Sequence, residues 1–305
     1  MPLSRKRRVP MVKESEATGR TLEIYQEIKS ALGVPHVNLF YQAYGAHPRF
    51  LELHWKLMRP AIQTREFFRF SERLGAEAYT RVHNYFSVPN LGERIAEANI
   101  GDAAQQELSQ IVDLFHYNNP LLLLIAAAQF QAFEDGPATK KASTAEPEHP
   151  VFSHPPAKVT EEAAPPGIRK IYDDIKRTMG LGFINTDYQA FAHFPDFFSF
   201  YWFSVKQFAT SPLNGENQHA LCESAASLAS ELPNAPQLTV EQMHEAGLSS
   251  EEIGAAIHIT EEFLNLLSGL VLNIAFAKIS LEGGTQPRSA ADKTKKDRKS
   301  PEAAA

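Results

Sequence analysis

The sequence predicts an all-α protein built from two copies of one helical unit. Three observations carry that expectation. Residues 24–55, "IYQEIKSALGVPHVNLFYQAYGAHPRFLELHW", and residues 171–202, "IYDDIKRTMGLGFINTDYQAFAHFPDFFSFYW", share 12 of 32 positions at a constant offset of 147, whereas unrelated segments share about two. In both copies apolar residues recur at helical spacing and stop at a glycine: Ile24, Ile28 and Leu32 before Gly33, and Ile171, Ile175 and Met179 before Gly180. Segments with convincing period-two alternation are scarce.

The elements follow in order. Residues 1–19 are basic and polar and read as a disordered tail. Repeat 1 covers 20–134, a Pro/Ala-rich linker covers 135–167, repeat 2 covers 168–282, and 283–305 read as a second disordered tail. Within each repeat, Asn38 or Asn185 is expected to cap the second helix, and Pro48 or Pro195 to open the third. "FSERLGAEAYTRVHNYF" (70–86) and "NQHALCESAASLASEL" (217–232) are the next helices, each followed by Pro-Asn, a short helix and a long apolar one. "SSEEI" (249–253) resembles a capping box at the start of the last. The repeats are expected to pair as a pseudo-dimer, with matching helices at a central interface.

Composition narrows the function. The chain has 305 residues, 43% of them hydrophobic, and a formal net charge of −6, enough for one large core or two ordinary ones. The basic runs "SRKRR" (4–8) and "KTKKDRK" (293–299) fall in the tails, so no nucleic-acid partner is expected. Cys222 is the single cysteine, which permits no disulfide within the chain and fits a reducing compartment. No apolar stretch follows the basic N-terminus as a signal peptide requires, and "NLLSGLVLNIAFAKISL" (265–281) reads as a buried core helix rather than a membrane span. A cytoplasmic protein is expected. "DLFH" (113–116) and "EQMH" (241–244) each pair a carboxylate with a histidine, but not at matching places of the repeat, so no metal site is expected. No glycine-rich phosphate motif is present, and no nucleotide cofactor is expected.

Two residues stand out as chemistry. Asp187 replaces Phe40 of the other copy, among Phe183, Ile184, Tyr188, Phe191 and Phe194. Its plain role is an acid in the first turn of a helix, favoured by the macrodipole. However, Asn185 already offers a cap, and an aspartate at the mouth of an apolar pocket is desolvated, which suits a general base acting on water. Asn119 lies in "FHYNNPLLLLI" (115–125). It reads either as a helix cap before Pro120 or as an amide that holds that water, and spacing does not choose between the two.

The duplicated unit, "INTDYQA", "HYNNPLLLL" and the apolar closing helix together resemble the group I, non-stereospecific D,L-2-haloacid dehalogenases, also filed as halocarboxylic acid dehydrogenases; the resemblance spans roughly residues 20–283. It implies an all-α pseudo-dimer that forms a homodimer and needs no cofactor. The implied reaction is direct attack of activated water on C2 of a small 2-haloalkanoic acid, of either enantiomer, with inversion and halide release. The resemblance makes Asp187 the base and Asn119 the water-orienting amide. The substrate-binding positions expected with them are His36, Leu39, Phe40, Thr186, Tyr188 and Thr260. Backbone N–H groups near Leu39 and Thr186 are the expected donors to the substrate carboxylate. His36, Leu39, Thr186 and Thr260 depart from the family's pocket, and His36, Leu39 and Thr260 leave open a relative that binds a small carboxylic acid without dehalogenating it. A purely structural helical protein is the third expectation.

Overall fold

A computed structural model of the chain describes residues 9–97, 101–134 and 147–286. The expected tails at 1–8 and 287–305 and the linker core at 135–146 lie outside these residues. Twelve helices occupy the described residues, with an isolated antiparallel bridge between Val88 and Thr285 and no strand. The first six are α1 (Gly19–Leu32), α2 (Leu39–Gly45), α3 (Pro48–Ile62), α4 (Arg65–Tyr85), α5 (Leu91–Glu97) and α6 (Asp102–Glu134). The second six are α7 (Pro166–Met179), α8 (Thr186–Phe191), α9 (Pro195–Ala209), α10 (Pro212–Ala229), α11 (Val240–Glu245) and α12 (Ser250–Leu281). The offset of 147 carries α1 onto α7 and α3 onto α9 residue for residue.

The local signals act where the sequence placed them. Gly33 and Gly180 end α1 and α7 in the left-handed conformation, at φ of 64° and 66°, where a side chain is strained. Asn38 Oδ1 accepts from Tyr41 N at the start of α2. Ser249 and Glu252 form the capping box of α12, and Thr239 and Gln242 form another on α11. Asn185 departs from the expectation: its side chain makes no capping bond.

The long helices form the centre. α12 packs along α6, and each also packs against the fourth helix of the other repeat, α10 on α6 and α4 on α12. This reciprocal exchange is a pseudo-two-fold arrangement. Both helices are long and apolar enough to cross a bilayer by composition, but most of that apolar surface is buried inside the fold, as the sequence reading of 265–281 expects. At about 25 cal/mol per Å2 of apolar area, burying each large side chain here stabilises by roughly 1.5–3 kcal/mol.

Residues 9–18 are a correction to the disordered tail, and residues 147–165 to a structureless linker. Val12 N donates to Gln42 O at 2.9 Å, Tyr25 Oη donates to Val12 O at 2.9 Å, Glu14 pairs with Lys29, and Glu14 accepts from Val37 N at 3.1 Å. The same set recurs 147 residues later: Val159 N to Gln189 O at 3.0 Å, Tyr172 Oη to Val159 O at 2.6 Å, Glu161 with Lys176, and Glu161 with Ile184 N at 2.9 Å. Each repeat therefore begins with a strap latched over its first two helices. Backbone groups that a free tail would leave to water are paired here.

Candidate active site

Asp187 sits one residue inside α8, and α8 packs against α6 of the other repeat. In mirror image, α2 packs against α12. The N-termini of these two short helices and the middles of the two long ones enclose a cavity of about 40 Å3. On that measure one water needs roughly 10–15 Å3, so the cavity holds a very small ligand.

The lining shows how the duplication builds it. From one side come Leu39, Phe40, Phe115, Asn118, Asn119 and Leu122. The equivalent positions of the other repeat are Thr186, Asp187, Phe263, Leu266, Leu267 and Leu270, and they line it too. The cavity thus lies on the pseudo-two-fold axis, with a polar corner where Asp187 of repeat 2 meets Asn118 and Asn119 of repeat 1. The corresponding corner is Phe40, Leu266 and Leu267, all apolar.

Asp187 is buried, and burial raises its pKa from 3.8 to about 6; the Tyr188 backbone N–H, the Asn119 amide and its own N–H pull in the opposite direction. Oδ1 accepts from Tyr188 N at 2.9 Å. Oδ2 has no hydrogen-bond partner. Asn119 is near enough to act on the carboxylate, yet the pair makes no hydrogen bond of normal geometry, and Asn119 Nδ2 is unpartnered as well. Asn118 Oδ1, both side-chain polar atoms of Asn185 and both ring nitrogens of His36 are likewise buried without partners. Each such group costs about 1–3 kcal/mol when left unpaired. Their concentration in one cavity marks it as a place for a polar ligand.

The helical path explains how Asn119 reaches this point, and it removes one of its two roles. α6 runs unbroken through Pro120, so Asn119 is an interior helical residue and not a cap. Pro120 cannot donate to the preceding turn and would break an isolated helix. Here α6 is buried against α12 on both sides of the proline. Gly75 of α4 faces this turn, where a Cβ would meet Pro120 Cγ at 3.4 Å and His116 O at 3.6 Å, ordinary contact distances.

His36 is buried with its ring edge-on to Phe115, at 6.0 Å between centroids. Burial and the nearby Lys158 charge depress its pKa to about 4, so it is neutral near pH 7. Leu39 and Thr186 are the first residues of α2 and α8, and their N–H groups have no intrahelical acceptor.

Six of the eight expected site residues therefore meet at one cavity: Asp187, Asn119, His36, Leu39, Phe40 and Thr186. The other two do not. The Tyr188 hydroxyl turns into the core and accepts from Asn273 Nδ2 at 3.0 Å. Thr260 is fully buried between Tyr44 Oη, at 2.6 Å, and its own helix, where its hydroxyl donates to Ala256 O. In both cases the hydroxyl is engaged in buried hydrogen bonds of the core. Sequence reasoning missed Asn118 and the apolar positions Phe115, Phe263, Leu266 and Leu267. Their signal in the sequence is the correspondence of α6 with α12, which pairs Phe115 with Phe263, Asn118 with Leu266 and Asn119 with Leu267.

The known proteins that the chain is similar to are haloacid dehalogenases. A profile of the family described as halocarboxylic acid dehydrogenase DehI matches residues 35–183. The chain is 28% identical over 273 residues to an (R)-2-haloacid dehalogenase of Pseudomonas putida, covering 88% of this chain and 91% of that one. It is 26% identical to an (R)-2-haloacid dehalogenase of Rhizobium sp. (strain NHG3), over 74% of this chain and 89% of the other. A third relative, from Alcaligenes xylosoxydans xylosoxydans, is named a configuration-inverting 2-haloacid dehalogenase and is 26% identical over 42% of each chain. Among solved structures, a complex of D-2-haloacid dehalogenase with L-LA superposes with a TM-score of 0.85 at 26% identity, over 90% of this chain and 96% of that one.

Proposed function

We propose that this chain is a 2-haloacid dehalogenase, a reading supported by the family profile over residues 35–183 and by its relatives, and that it hydrolyses the carbon–halogen bond of small 2-haloalkanoic acids to give 2-hydroxy acids. The observation that carries the reading is the pairing of Asp187 Oδ2 and Asn119 Nδ2, both unpartnered in one small, largely apolar cavity. Water held between them gives its proton to Asp187 Oδ2 as its oxygen bonds to C2. The carbon–halogen bond breaks on the far side, the halide departs with the electron pair, and the carbon inverts. No bond to the enzyme forms.

The surroundings suit each part of that step. With a pKa of about 6, Asp187 is ionised near neutral pH and more basic than an ordinary aspartate. In this reading the N–H groups of Leu39 and Thr186 hold the substrate carboxylate. Phe40, Phe115 and Phe263 supply an apolar wall for the halogen. The cavity volume favours acids of two or three carbons.

The resemblance implies either enantiomer as substrate, but the two relatives matched over most of their length are named for the R form. The R enantiomer is therefore the preferred substrate in this proposal, and inversion follows from the in-line attack. The test is halide release from each enantiomer of 2-chloropropionate by wild type, Asp187→Asn and Asn119→Ala. A single turnover in 18O-labelled water adds the mechanism: label appears in the first product molecule if water attacks directly. Undiminished activity in Asp187→Asn would overturn the assignment. Binding of propionate without halide release from any haloacid would favour the non-dehalogenating alternative.

A further inference from the structure

Outside the inner cavity lies a wider one of about 570 Å3, and the two share His36, Leu39 and Thr186. Its walls are the two straps, residues 9–15 and 158–162, so it is the mouth of the site. Four charged positions besides Lys158 face it: Lys13, Glu14, Glu161 and Glu162. Glu14 and Glu161 are held by the latches, to Lys29 and Lys176. Lys158 has no hydrogen bond or ion pair within the described residues; Glu14 is the charge that acts on it. Lys158 stands exposed at the rim, and the surrounding mouth removes part of the water around its ammonium, which lowers its pKa. Its charge is also felt at His36, on the boundary between the two cavities. The repeat makes this lysine conspicuous: at the same place on the other strap, 147 residues earlier, stands Met11.

We propose that Lys158 is the anion-recruiting residue of this mouth, drawing the substrate carboxylate from solvent past neutral His36 toward the N–H groups of Leu39 and Thr186. A cation in a low-dielectric funnel raises the local concentration of an anion and speeds its capture. The charge of Lys158 reaches His36 on the inner cavity, so it also stabilises the bound carboxylate without touching the reacting carbon, and it acts on binding rather than on the chemical step. The identity of the acid rests on the dehalogenase reading; capture of a small carboxylate does not.

The test replaces Lys158 with its counterpart, as Lys158→Met, with Lys158→Arg as the charge-conserving control. The latch contacts run through Val159 and Glu161, and an unchanged melting temperature verifies that they persist. Calorimetry with propionate, a carboxylate that cannot react, is expected to show about tenfold weaker binding in Lys158→Met, with recovery in Lys158→Arg. Added salt weakens binding by wild type and much less by Lys158→Met. With 2-chloropropionate, KM rises by a similar factor and kcat stays within about twofold. Equal propionate affinity in wild type and Lys158→Met, or no propionate binding by wild type, overturns the proposal. Weakened propionate binding in the variant, with no halide released by wild type, upholds Lys158 and overturns the dehalogenase reading instead.

Discussion

Asp187 Oδ2 and Asn119 Nδ2 come from different repeats, face one cavity, and each lacks a hydrogen-bond partner. Asn119 also pulls the pKa of Asp187 down. Asn119→Ala therefore removes two things, a group that orients water and a brake on the pKa. The expected result is a loss of about a hundredfold in kcat, the scale of one preorganised polar group. The pH at which activity is half-maximal moves upward as well. A steady-state pH series on wild type and variant checks both.

Activity of wild type is expected to fall tenfold per pH unit below about 6, because the base must be ionised. Above that point it levels off. A profile of kcat/KM that is flat from pH 5 to 8 contradicts Asp187 as the base.

Stability responds to the same carboxylate with the opposite preference. The folded pKa, about 6, lies above the ordinary 3.8, so the native state holds a proton that the unfolded chain releases between these values. The associated stability is present below pH 3.8 and is lost as the pH rises through 6. That loss is about 3 kcal/mol at 1.36 kcal/mol per unit. Asp187→Asn, which never ionises, is expected to melt several degrees above wild type at pH 8 and close to it at pH 3.5. His36, depressed to about 4, works in the other direction in both proteins, so the difference between them isolates Asp187. Thermal melts at the two pH values decide the matter.

Thr260→Val separates fold from chemistry. The hydroxyl lies 2.6 Å from Tyr44 Oη in a fully buried site. Its loss leaves the tyrosine hydroxyl without that partner, at a cost of about 1–3 kcal/mol. Denaturant unfolding is expected to show that loss, while KM for 2-chloropropionate changes by less than about twofold. A large rise in KM would return Thr260 to the substrate pocket.

Helices with strong local punctuation were legible in the sequence. Gly33 and Gly180 end helices because the left-handed conformation excludes most side chains, and that rule needs no tertiary context. Asn119 was not decidable, because Asn-Pro is a helix start in isolation and an interior pair when both flanks are buried. Asn185 misled for a related reason. It has the right identity for a cap, but its side chain is left unpaired inside the cavity, and Asp187 Oδ1 accepts a first-turn N–H instead. The straps were hidden by composition, since they are polar and rich in proline. Their signal was nevertheless present: Val12, Glu14 and Ala17 match Val159, Glu161 and Ala164 at the offset already found. Tyr188 and Thr260 lie near the site in sequence and in helix, but the direction of a side chain is set by packing that no pattern of residues displays.

The position of the cavity on the pseudo-two-fold axis has a consequence for how such a site can arise. Two identical chains meeting at that axis would present every lining residue twice. An aspartate at this position would then face its own copy across a dry space, and like charges so placed cannot both ionise. A phenylalanine would leave no base at all. Covalent fusion of the halves releases the two positions from having to be the same. The symmetric ancestor can offer a chamber, and only the broken symmetry of a single chain can furnish it with one base and one wall.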